Sequence, residues 1–313
     1  AAFAQWLSTA QGQRATELSV VAAVLQGGLA LQADAELLAL ARRTVDSRTE
    51  TLKLVQLRER AGAASLLELQ AQVGLVAQAR ATLAQLERQQ AQDANALALL
   101  LGRPLPPEGA PAGASLADDA WLAEVPAGLS SAVLLRRPDV MQAESALRAA
   151  DANIAAARAA FMPSISLTGQ AGQASPQLSG LFQGGNFAYT LAAGLAFTIF
   201  DGGRRQANLE ATQASRLAAQ AQYERAIQAA FRETADALAG GATWRAQRLA
   251  LEDQRSAARE TARLTRLRAE QGAASTLELL EAERGLFAAE QAVLQARQGE
   301  LNNRVQLFKA LAG

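Results

Sequence analysis

The side chains able to do chemistry in this sequence are carboxylates, hydroxyls and guanidinium groups, because it holds no histidine and no cysteine. Histidine general bases, His-ligated zinc, thiolate nucleophiles and disulfides are therefore excluded. A carboxylate-only or Ser-Lys enzyme would need a pocket motif, and none is visible; a glycine-rich phosphate loop is missing too. The sequence is read as a non-enzyme without metal or cofactor. The carboxylates with a recognisable spacing are Glu68 and Glu278, which follow Ser65 and Ser275 by three residues. In S-x-x-E the serine caps a helix and the glutamate reaches back to the serine N–H, so both are first expected to do structural work. Glu281 lies three residues beyond Glu278, on the same helix face. It has no capping duty, and its plain reading is a solvated surface glutamate.

These serines and glutamates sit inside a duplication. Residues 57–69 read LRERAGAASLLEL and residues 267–279 read LRAEQGAASTLEL, identical at nine of thirteen positions with an offset of 210. Beyond them the pattern outlasts the identity. Leu69, Val76, Leu83, Gln90 and Leu97 step by sevens, and so do Leu279, Leu286, Val293, Glu300 and Leu307. Seven-residue spacing is a coiled-coil seam, and both copies share its polar break. The neighbouring stripe differs: Leu280, Phe287, Leu294, Leu301 and Phe308 form a bulky ridge, whereas Gln70, Ala77, Ala84, Ala91 and Ala98 form a groove of mostly small residues. Ridge and groove suggest two similar hairpins packed side by side.

Each GAAS is expected to be a helix-helix turn, with Gly62 and Gly272 in the left-handed position and Ser65 and Ser275 as N-caps. Helices over 66–101 and 204–271 would be roughly 54 and 100 Å long. The composition agrees. Half of the 313 residues are apolar but only 4 % are aromatic. Alanine and leucine dominate, as in long helices. With 30 basic and 30 acidic residues the net charge is zero, so no nucleic-acid surface is expected. No signal peptide is visible, and no apolar run reaches the ~20 residues of a transmembrane helix. Residue 1 falls within a helical pattern, so the sequence is expected to be truncated at its start.

Between the repeats, residues 102–137 read as a linker, rich in Pro, Gly, Ala and Asp up to residue 128, with a short helix at 130–136. Pro138 and Asp139 suit the first turn of a helix over 138–160. The Gly27-Gly28 and Gly240-Gly241 pairs interrupt long helices and mark bends, close packing or mere irregularity. Trp6, Trp121 and Trp244 are taken as packing residues.

Over 161–200 the period changes to two. Phe187, Tyr189, Leu191, Leu195, Phe197 and Ile199 alternate with small or polar residues, and Ile165 and Leu167 do so more weakly. Residues 173–186 between them read as a surface loop. The pattern fits a half-buried hairpin packed on a helix, or a transmembrane β-hairpin whose strands need roughly 9–11 residues with one apolar face. The absence of another sheet to bury that face favours the second. A lone hairpin cannot live in lipid with its edges unpaired, so further strands must close it. The repeat offset puts a matching first hairpin upstream of residue 1.

The stretch LLRRPDVMQAESALRAADANIAAARAAFMPSISLTGQAG, together with FTIFDGGRRQANLEA, FRETADALA and both GAAS turns, resembles the outer-membrane efflux protein family of TolC, OprM and NodT type. It is most similar to the lipoprotein channels of resistance-nodulation-division (RND) pumps. The resemblance implies a mainly α fold with a membrane β-hairpin, in which duplicated helical hairpins build a trimeric periplasmic α-barrel below an outer-membrane β-barrel. Residues 1–101 and 201–313 would be the two hairpin repeats and 102–137 the equatorial linker. It further implies a homotrimer in the Gram-negative outer membrane, docked on a periplasmic adaptor protein and through it on an inner-membrane RND-type transporter. Gly62, Ala63, Ala64, Ser65, Gly272, Ala273, Ala274 and Ser275 would be the adaptor-docking tips. Glu278 and Glu281 would narrow the pore as a cation-attracting ring. The implied function is a passive export duct for drugs, metals or other small molecules. The rival readings are a type I protein-secretion duct and a soluble coiled-coil scaffold or adaptor. A lipid-length strand at 187–199 argues against the scaffold.

Overall fold

Both GAAS stretches close the same turn in the computed structural model, which describes residues 2–106, 116, 130–181, 184–185 and 187–312. Gly62 and Gly272 each take φ 72°, a left-handed conformation that glycine adopts without Cβ strain. At the first turn Gly62 N donates to Glu59 O and Ala63 N to Arg58 O; at the second, Gly272 N donates to Ala269 O and Ala273 N to Arg268 O. This paired pattern ties off carbonyls that a helix end would leave bare. Helix α1 (Ala2–Arg60) thereby returns as α2 (Leu66–Leu101), and α4 (Arg204–Glu270) as α5 (Thr276–Leu311). Between the pairs come a 3-10 turn (Ser131–Arg136), α3 (Pro138–Ala159) and two antiparallel strands, β1 (Ser164–Gln173) and β2 (Phe187–Ala196). Most of the 102–137 linker, with Trp121, lies outside the described residues.

The chain divides into two units. One comprises Ala1–Gly12 and Asp139–Ile227. Here Ser8 Oγ donates to Gln142 O, and Arg216 pairs with Asp151 at 2.6 Å. The strands register Ser164 with Ala196 and Gln173 with Phe187. Ile165 and Leu167 therefore share a face with Phe187, Tyr189, Leu191 and Leu195, while the other face carries Ser, Thr, Gln, Ala and Gly. Every residue of both strands is exposed.

The other unit comprises Gln13–Pro138 and Gln228–Gly313. Its core joins Ala22, Leu29 and Ala33 of α1 to Leu301 and Val305 of α5, with Leu116 inserted from the linker and its N–H donating to Glu36 at 3.0 Å. By length and mean hydropathy helix α1 passes for a membrane span, although no uninterrupted apolar run in it reaches about 20 residues. Its Ala22, Leu29, Leu31 and Ala33 are instead buried in protein.

Along the seams Val76, Leu97 and Val293 are buried and the remaining leucines half-buried. The polar break has a local cause in the second copy. Glu300 is buried and accepts from Arg248 at 2.6 Å and Arg304 at 3.1 Å. The ridge does not fill the groove within one chain. Leu280 and Leu301 are buried, yet Gln70, Ala77, Ala84 and Ala91 stay exposed. Both glycine pairs lie within unbroken helices, and one member of each pair marks close packing. A Cβ on Gly27 would stand 3.2 Å from Leu97, and one on Gly240 would strike Asn303, whose amide donates to Ala237 O. Trp244 packs where a Gly299 Cβ would be, whereas Trp6 is exposed and stacks on Phe3.

Candidate functional site: hairpin tips and an exposed strand face

At the first tip the capping box closes in both directions. Glu68 N donates to Ser65 Oγ at 3.2 Å and Ser65 N donates to Glu68 Oε2 at 2.9 Å. At the second only half of it forms: Glu278 N donates to Ser275 Oγ at 3.2 Å, and the Glu278 carboxylate makes no return bond. The expected second capping box is thus corrected. Glu278 reads the helix end through its backbone alone, and its side chain projects exposed from the first turn of α5.

The two tips are joined by a bond that sequence reasoning missed. Thr276 Oγ1 donates to Glu68 Oε1 at 2.7 Å. The position equivalent to Thr276 in the first repeat is Leu66, so the link exists because the repeat departs from itself there. The Thr276 hydroxyl, then the Ser65 N–H, hold the Glu68 carboxyl below its ordinary value. Gly62, Ala63, Ser65, Gly272, Ala273 and Ser275 are exposed, and Ala64 and Ala274 half-buried. Beside them Leu66, Leu67 and Leu277 are 63 %, 80 % and 66 % exposed, an apolar surface on the helix starts that the GAAS reading overlooked. Glu281 is exposed on α5 and pairs with Arg284 at 3.3 Å. The first repeat has Ala71 and Gly74 at those positions, so this charged pair belongs to one hairpin only.

In the strand unit, β2 ends at Ala196 because its partner begins at Ser164, just after Pro163. Phe197 and Ile199, expected on the strand, therefore lie beyond it, exposed. The junction is held by Arg205. Its Nε donates to Asp201 at 2.7 Å, NH1 to Ala160 O at 3.2 Å and NH2 to Thr198 O at 2.5 Å, with the guanidinium 5.5 Å from the Phe161 ring centre. Asp201 in turn accepts from Gly203 N and Arg205 N, capping α4. One side chain thus ties the residues before β1 and after β2 to the start of a helix. Arg205→Ala is expected to cost about 1.5–3 kcal/mol, the range for hydrogen bonds to charged groups, and Arg205→Lys to recover only part of it. Thermal unfolding of the full-length protein and limited proteolysis around residues 198–204 check this; unchanged profiles would show the clasp to be idle.

A profile of the outer membrane efflux protein family matches residues 1–103 and 129–313. The outer membrane protein OprJ of Pseudomonas aeruginosa is 40 % identical over 313 residues, all of this chain and 65 % of OprJ. The toluene efflux pump outer membrane protein TtgI of Pseudomonas putida is 39 % identical over 312 residues, 100 % of this chain and 66 % of TtgI. The chain thus spans just under two thirds of these relatives. The open-state crystal structure of the MtrE outer membrane channel of Neisseria gonorrhoeae superposes with a TM-score of 0.87 at 37 % identity, covering 100 % of this chain and 70 % of that one. With its paired GAAS hairpins, its exposed strand pair and this likeness along its whole length, the chain belongs to the outer membrane efflux protein family.

Proposed function

We propose that this chain is part of the outer-membrane channel of a tripartite efflux pump, a passive homotrimeric duct that carries small molecules out of the periplasm and catalyses nothing. The observation that carries this reading is the strand pair. Phe187, Tyr189, Leu191 and Leu195 share one exposed face with Ile165 and Leu167, in strands of membrane length that grow from a 67-residue helix. Lipid is the solvent that such a face needs, with Phe197 and Ile199 continuing the apolar surface beyond the strand. Further strands, among them those of other protomers, would close the barrel. The tips at 62–65 and 272–275, flanked by Leu66, Leu67 and Leu277, would meet a periplasmic adaptor serving an inner-membrane RND-type transporter. The names of relatives such as the toluene efflux pump protein favour a small-molecule cargo over secreted protein.

Full-length protein is expected to extract with detergent as trimers and to form channels in planar bilayers; a soluble monomer that forms no channel would overturn the reading. Glu278 and Glu281 would place six carboxylates around the axis. Glu278 has no capping bond to its carboxylate, and the exposed Glu281–Arg284 pair is weakly held, so both remain available to ions. A carboxylate about 4 Å from a permeant cation contributes about 1 kcal/mol even in water, roughly fivefold in preference. Glu281→Gln should lower cation over anion permeability by about that factor. Unchanged reversal potentials in salt gradients would remove Glu281 from the constriction.

A further inference from the structure

Within the two-hairpin unit, α1, α4 and α5 enclose a groove of about 280 Å³ with four arginines and two glutamates on its walls. The glutamates are spoken for: Arg259 pairs with Glu290 at 2.9 Å and Arg266 with Glu283 at 2.7 Å. Arg43 and Arg48 have no carboxylate within ion-pair distance among the described residues. Arg43 is exposed, but Arg48 is only 5 % exposed. Its NH1 donates to Leu75 O at 3.2 Å and its guanidinium stands 5.8 Å from the centre of the Phe287 ring. Nε and NH2 have no partner among the described residues, yet neither is sealed from solvent. Burial lowers the affinity of Arg48 for its proton, Glu283 opposes that shift, and Arg284 adds to it. The guanidinium stays charged regardless, so this is a desolvated cation that no carboxylate touches directly, although Glu283 acts on it across the groove.

The unused Nε–NH2 edge is the fork that grips two oxygens of one anion side-on. The Leu75 carbonyl holds its third nitrogen, and the Phe287 ring lies on one side of the guanidinium. The groove has room for an oxyanion and bridging waters. Ser47 lines it with an uncommitted hydroxyl. From this geometry we propose that the groove binds a small oxyanion, a carboxylate or a sulfate-like ion, held side-on by Arg48 with Arg43 supplying further positive charge. The site depends on the helical unit alone and stands whether or not the duct reading holds.

The test uses full-length protein in detergent, with selenate as the crystallographic probe and sulfate as the solution probe. Selenate should give an anomalous peak within hydrogen-bond reach of Arg48 Nε and NH2. Sulfate stabilises proteins in general by exclusion from their surface, so the sulfate-specific rise is the excess over Arg48→Met: the wild-type midpoint should rise more than that of the variant, and Arg48→Met should show no selenate peak. If Arg48→Met does not fold, Arg43→Gln provides the control. It removes an exposed charge and should weaken sulfate binding about fivefold. A hexaglutamate peptide that displaces sulfate identifies the natural ligand as a carboxylate on another chain; failure to displace it leaves a free oxyanion, and either result supports the site. Wild-type crystals without selenate at Arg48 would overturn it. So would selenate bound there with no sulfate-specific rise in the midpoint, which would mark an adventitious ion only.

Discussion

Replacing Arg137 by alanine is expected to destabilise the two-hairpin unit by about 3 kcal/mol, the lower end of the cost of breaking a buried ion pair. Arg137 is 4 % exposed, follows the 3-10 turn and precedes Pro138, in the extended conformation that a pre-proline residue prefers. From there its NH2 donates to Glu233 of α4 at 2.7 Å, and its NH1 to the Ala310 carbonyl of α5 at 3.3 Å. Ala310 is in the last turn of α5, where carbonyls have no partner within the helix. One guanidinium thus joins the linker's end to two long helices and satisfies a helix terminus. Glu233 is 44 % exposed and can turn to water when its partner is lost, which keeps the cost below the full buried-pair value. Arg137→Lys retains the charge but cannot span both acceptors, so it should recover less than half of the loss. Thermal and urea unfolding of full-length protein decide the matter. A change below about 1 kcal/mol, the usual worth of a surface pair, would mean that other contacts hold this junction.

Arg137 also shows where sequence reasoning stops. The GAAS turns were legible because their causes are local: a left-handed glycine and a serine cap act within one turn, and at the first turn the glutamate three residues on closes the box as well. The shared apolar face of the strands was legible for the same reason, since period-two alternation is a property of a single strand. The end of β2 was not, because it depends on where β1 begins. The Thr276–Glu68 link was hidden by the repeat itself, which invites identical roles at positions 66 and 276 just where the residues differ. Arg48, Arg137, Arg205 and Arg248 looked interchangeable in the sequence. Their long side chains reach acceptors on other elements, and only the packing reveals which ones are buried. The ridge and groove of the two α-hairpins were visible as stripes, but nothing in a stripe says which surface will cover it.

Asp34 carries the clearest pH dependence. It lies in α1, 6 % exposed, beside Asp93 of α2, and one of its oxygens is buried without a partner. Burial, and then the neighbouring Asp93 charge and hydrogen bond, push its carboxyl from 3.8 up to about 6. A carboxyl whose value is raised by folding binds its proton more tightly in the folded state. Its stabilising effect is therefore complete below the unfolded value near 4 and is lost as pH rises through about 6. A shift of about two pKa units corresponds to roughly 3 kcal/mol across that window. Asp34→Asn keeps the shape and removes the charge. The variant should thus be more stable than wild type at pH 7, and the difference should shrink towards zero by pH 4. Taking the difference between the two proteins at each pH cancels the other carboxylates that titrate in the same range. The amide can still donate to Asp93, which keeps the helix pair joined when Asp93 is ionised. Unfolding midpoints of full-length protein at steps from pH 4 to 7.5 give the curve. A difference that stays flat across the window would show that Asp34 is ionised throughout and that the pair shares no proton.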